Sequence, residues 1–120
     1  QKLNDYGEAT RNGYQFRFYL PGARGAGIGE PQSGFDSGSG VDANLAETTW
    51  CAYAWPTEAS ESRRVFFMNQ AGDVLVTEAD YVGPGGGPSP DAAFVRAGSI
   101  VGKVAVDAEG SDGNVWRRGG

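Results

Sequence analysis

Asp107, Glu109, Ser111 and Asp112 bring hard oxygen donors into one short stretch near the C-terminus. Calcium takes such donors. Their spacing is not that of a helix–loop–helix calcium loop, because Gly113 and the acids fall out of register. A solvated acidic turn accounts for the same residues, and no cofactor is expected. The other residues that carry chemistry are sparse. Histidine is absent, which removes the commonest general base and every Ser-His or Cys-His pair. Cys51 is the one cysteine, so no internal disulfide and no cysteine-built zinc site can form. It lies between Trp50 and Ala52 in an apolar run and reads as a packed thiol. The run Gly83-Pro84-Gly85-Gly86-Gly87-Pro88 lacks the Lys and Ser/Thr of a phosphate loop, and its prolines remove amide donors. It reads as a flexible surface loop. Two acids can in principle hydrolyse a glycoside, but no acidic residue here is flanked by a pattern that sets it in a cleft. The chain is not expected to be an enzyme.

Arg63-Arg64 and Arg117-Arg118 are the basic doublets in a chain of net charge −5. That balance disfavours phosphate backbones and anionic lipid, and the doublets read as solvated charges or as contacts to acidic neighbours in a polymer. Trp50, Tyr53, Trp55 and Trp116 can be read as a sugar-binding platform or as core. Strand patterning favours core for most of them. The platform reading requires two tryptophans exposed side by side.

The elements that must position these residues fit one domain, residues 1–120. Leu3, Tyr6 and Thr10 share a helical face, and Asn12-Gly13 is a stop signal. Residues 2–12 are therefore expected to be the last turns of a longer helix that begins upstream. Residues 14–20 alternate as a strand, with Tyr14, Phe16, Phe18 and Leu20 on the expected buried face and Gln15 and Arg17 opposite. Residues 21–47 are Gly-, Ser- and Pro-rich and read as a long loop, pinned by Phe35, Val41 and Leu45. A second strand covers residues 48–55. Residues 64–69 and 73–77 form a hairpin around Gln70-Ala71-Gly72, where Gly72 supplies a positive φ. Residues 79–90 make a second loop and residues 90–94 a helical turn. Ile100, Val101, Val104, Val106 and Val115-Trp116 add apolar contacts. The expected fold class is α+β: the short N-terminal helix remnant packed on a small antiparallel sheet of three to four strands, with long Gly-rich loops.

Several stretches carry a resemblance. Residues 13–21, Gly-Tyr-Gln-Phe-Arg-Phe-Tyr-Leu-Pro, resemble the segment after the N-terminal helix of bacterial type IV pilin-like and type II secretion pseudopilin-like proteins. Tyr53-Ala54-Trp55-Pro56, followed by Arg64-Val65-Phe66-Phe67-Met68-Asn69-Gln70-Ala71-Gly72-Asp73-Val74-Leu75, is similar to their AWP and R-x-FF-x-N-x-x-G stretch. Asp112-Gly113-Asn114-Val115-Trp116 resembles their C-terminal ending. Order and spacing carry the likeness over most of the chain. Residues 59–64 depart from it, lacking the glycine that usually precedes the arginine, so the connection into the third strand is expected to differ.

The resemblance implies a structural subunit of an extracytoplasmic pilus or pseudopilus, at the cell surface, in a secreted filament or in the periplasm. Such subunits begin with a cleaved prepilin leader and an apolar helix. No stretch here reaches the roughly 20 apolar residues that span a bilayer, and no signal peptide is visible. The helix is thus expected in cis upstream, or in trans on a separate polypeptide as in a split pilin. Expected partners are further subunits, met through loops 21–47 and 79–90, with no nucleic acid and with membrane contact only through the helix. Major pseudopilins hold calcium in a C-terminal loop, so the resemblance implies the same candidates, Asp107, Glu109 and Asp112. The alternative function is a small β-rich carbohydrate-binding or adhesion module.

Overall fold

Asn12 and Gly13 both take positive φ, 53° and 82°. Two consecutive left-handed residues make the hairpin turn whose twist matches that of paired strands. They join β1 (Ala9–Arg11) to β2 (Tyr14–Pro21), with Arg11 directly opposite Tyr14. The dipeptide expected to stop a helix thus turns a hairpin. The computed structural model describes residues 2–36, 38–60 and 63–119. The remaining elements are β3 (Gly27–Gly29), α1 (Ala43–Ala46), β4 (Cys51–Pro56), β5 (Arg64–Asn69), β6 (Val74–Glu78), β7 (Ala108–Glu109) and β8 (Val115–Arg118).

The expected α+β class is therefore corrected. The protein is nearly all β, an eight-stranded antiparallel sheet in the order β1-β2-β4-β5-β6-β8-β7, with β3 also paired to β2. Among the described residues the one α-helix is the single turn α1, and no helix remnant packs on the sheet. The spacing of Leu3, Tyr6 and Thr10 is overridden by local hydrogen bonding. The Asn4 side chain accepts from the amides of Tyr6 and Glu8, each at 2.9 Å, which closes a turn instead of a helix. Gly7 sits at φ 77° against the backbone of Glu30, where a side chain would collide.

Loop 21–47 is shorter than expected, because β3 and α1 form within it. Asp42 caps α1 by accepting from the Leu45 amide. Phe35 packs edge-on against Phe18, and Val41 bridges to Gly22. The hairpin β5–β6 forms as expected. Gly72 takes φ 83°, and the Asn69 side-chain Oδ1 accepts from the Ala71 and Asp73 amides. Residues 61 and 62, in the stretch where the resemblance departs, lie outside the described residues.

The core sits on one sheet face only. Tyr53, Trp55, Val65, Phe67, Leu75 and Trp116 point to this side, and Ala92, Ala93, Phe94, Ile100 and Ala105 cover them. The cover comes from residues 79–114, which cross the sheet as turns and short bridges. Tyr53 ties the layers together: its hydroxyl donates to the Pro90 carbonyl at 2.7 Å and accepts from the Ala93 amide at 3.1 Å.

Candidate docking face

Strand register places the side chains of the other face in rows. Phe16, Ala54, Phe66 and Val76 form one row, and Phe18, Ala52, Met68 and Val74 the next. This is the face that Tyr14, Phe16 and Phe18 were expected to bury. The expectation is reversed: in β2 the opposite residues, Gln15 and Tyr19, are the deeply buried ones. Phe16, Met68 and Val74 remain 38–39% exposed. Tyr14 and Phe66 lean together over Ala54, with centroids 5.9 Å apart, and Phe18 stacks near Trp50 at 5.6 Å. A shallow depression remains, lined by Tyr14, Phe16, Ala54, Phe66, Met68 and Val74. An apolar surface of contiguous aromatic, Met and Val side chains is the kind that marks an interaction site.

On the covered side, the Arg17 guanidinium lies over the Tyr19 ring at 5.3 Å, with its Nε buried and without a hydrogen-bond partner among the described residues, whereas Glu8 and Gln15 are satisfied. Glu8 is buried, yet its carboxylate accepts from the Gln15 amide and the Gly85 backbone amide. The Gln15 carbonyl oxygen in turn accepts from the hydroxyls of Thr10 and Thr57. This network explains how a glutamine sits fully buried at a strand centre. Cys51 is buried, and desolvation pushes its thiol from the ordinary 9.0 up to about 12. A thiol so raised is protonated and unreactive at neutral pH. Burial likewise raises the Tyr19 and Tyr53 phenols.

The calcium candidates are not gathered into a site. Asp107 and Glu109 lie on the surface in β7 and the turn before it. Asp112 instead holds the C-terminal corner. Its Oδ1 accepts from the Trp116 indole at 3.1 Å and the Asn114 amide at 3.0 Å. Its Oδ2 accepts from the Tyr81 hydroxyl at 2.7 Å and the Asn114 side-chain amide at 2.8 Å. Ser111 donates its hydroxyl to the Phe94 carbonyl. Among the described residues no group of three or more acids or cysteines is placed to hold a metal ion.

Trp55 and Trp116 are fully buried, which leaves Trp50 as the indole that reaches the surface. The Gly-rich run is packed and not free. The Gly83 carbonyl accepts from the Trp55 indole at 2.8 Å, and Gly87 lies flat on that ring. No family model, curated protein or solved structure matches this chain. Among the described residues, no covering layer lies on the open face. The alternation of residues 14–20 was legible and was expected to mark a buried face; only the covering layer reveals which face stays open.

Proposed function

We propose that this chain is a structural, non-catalytic subunit of an extracytoplasmic filament, held in its assembly by an apolar α-helix of a second polypeptide seated on the open face. The open apolar face is the observation that carries this reading. The likeness of residues 13–21, 53–56, 64–75 and 112–116 to pilin-like proteins supports the filament. Those residues form β2, β4, β5, the start of β6 and the start of β8 with the turn before it, so the likeness follows the sheet that presents this face. Dimensions support a helix. The aromatic ridge of β2 and the Phe66–Met68 ridge of β5 lie two strands apart, about 9–10 Å, close to the roughly 10 Å diameter of a helix.

The test is a photo-crosslinking residue placed at Phe16 in the source cells, with Val95, exposed next to Phe94 of the covering layer, as the control position. Adducts from position 16 in the sheared filament fraction should contain peptides of an apolar helix, and position 95 should give none. Equal adducts from both positions, or adducts between two copies of this chain alone, would rule the reading out.

A further inference from the structure

The open face carries charges that do not match the chain as a whole. Arg11 on β1 stands opposite Tyr14, which faces Pro56, and Arg64 on β5 lies two residues before Phe66 on the same face. Arg117 on β8 lies beside Val76 in the next row. Two acids stand on this face: Glu109 on β7, opposite Val115 of β8, and Glu78, directly opposite Arg64. The pair does not close. The Arg64 guanidinium lies over the Phe66 ring at 5.5 Å instead. The ion pairs among the described residues are Arg63–Asp80 and Arg118–Asp73, so none of the three arginines closes an ion pair among those residues. Asp36, beside Phe35 at the far end of the face, has its Oδ1 engaged by the Gly38 amide and the Ser39 hydroxyl. An apolar band bordered by these arginines therefore sits on a protein of net charge −5.

We infer that this face selects a partner helix whose apolar stripe is flanked by carboxylates. The inference rests on the docking reading above and names the chemistry of its occupant. A helix lying along β4 leaves the sheet between Arg11 and Arg64. These residues stand three strands apart, roughly 14 Å, which admits a helix of about 10 Å diameter with an acidic side chain on either flank. Guanidinium groups bind carboxylates in a bidentate fork, so position as well as charge is read. A second copy of this chain is a poorer occupant, because it would bring the same arginine border to the same place. Complementary charge of this kind sets partner choice more than bulk affinity.

The experiment uses the full chain and two synthetic helical peptides with the same leucine stripe, one flanked by Glu and the other by Lys. Binding is followed by fluorescence anisotropy of a labelled peptide. Net charge alone predicts that the acidic protein prefers the Lys peptide. The inference predicts the reverse: the Glu peptide binds at least about tenfold tighter, and the advantage shrinks as salt screens it. The double variant R11E/R64E, altered only at exposed positions, should turn the preference round. Phe16→Ser should weaken both peptides together. Equal binding of the two peptides, with Phe16→Ser still weakening both, would overturn the charge inference and leave the docking reading standing. Binding of neither peptide, or a dimer of this chain that Phe16→Ser abolishes, would overturn both.

Discussion

At the scale of single residues, burial decides what each group does. Cys51 is the clearest case. Its apolar neighbours in the sequence already marked it as packed, and its desolvated thiol is held up to about 12. The sign of the consequence is definite. The neutral thiol is favoured in the folded protein, so its stabilisation is complete below the ordinary value of 9.0 and is lost as pH rises from there toward 12. The loss is about 1.4 kcal/mol per pH unit from this group. Urea unfolding between pH 7 and 10.5 should show stability falling above pH 9, and Cys51→Ala should fall less steeply although it starts lower. Identical slopes would show that the thiol is not desolvated. Tyr19 and Tyr53 add a decline of the same sign, beginning near 10. Asp112 shows the opposite limit of legibility. Its type and neighbours suggested a cation ligand, and nothing in its local sequence says that Tyr81, 31 positions away, would donate to it.

At the scale of elements, local signals were readable where the chain closes on itself and misleading where distant chain covers it. The β5–β6 hairpin was legible because Asn69 and Gly72 supply its geometry locally. The strand at residues 14–20 was also legible, but not its buried side. Aromatic residues occupy both faces, and the partners of buried Gln15 come from residues 8, 10 and 57. The glycine-rich run at 83–88 misled most. Its composition suggests mobility, whereas its glycines are small so that the backbone can lie on the Trp55 ring. A methyl group added at Gly87 would stand 2.5 Å from the indole carbons. Gly87→Ala should therefore cost about 1–3 kcal/mol by overpacking. Gly38→Ala, in an exposed loop with no contact closer than 3.4 Å, should stay within about 0.5 kcal/mol. Chemical denaturation checks both, and equal effects at the two positions would restore the free-loop description.

At the scale of the molecule, the sheet has two faces with different work. One holds the core through Phe67, whose ring meets Tyr53 at 5.2 Å, Phe94 at 5.4 Å and Trp116 at 6.5 Å. The other presents Phe16, Met68 and Val74 to solvent at a cost in solubility that the fold does not require. If this is so, stability and association should separate by face. Phe67→Ala empties a fully buried site and should cost about 3–5 kcal/mol. Phe16→Ser removes a side chain that is already 38% exposed and lies outside the core cluster, so it should cost less than about 1.5 kcal/mol. Urea unfolding measures both values, and binding of an apolar helical peptide measures the second effect. A variant at Phe16 that keeps its stability and loses the peptide assigns this face to docking. A Phe16 variant as unstable as the Phe67 variant would mean that the open face is part of what folds the protein.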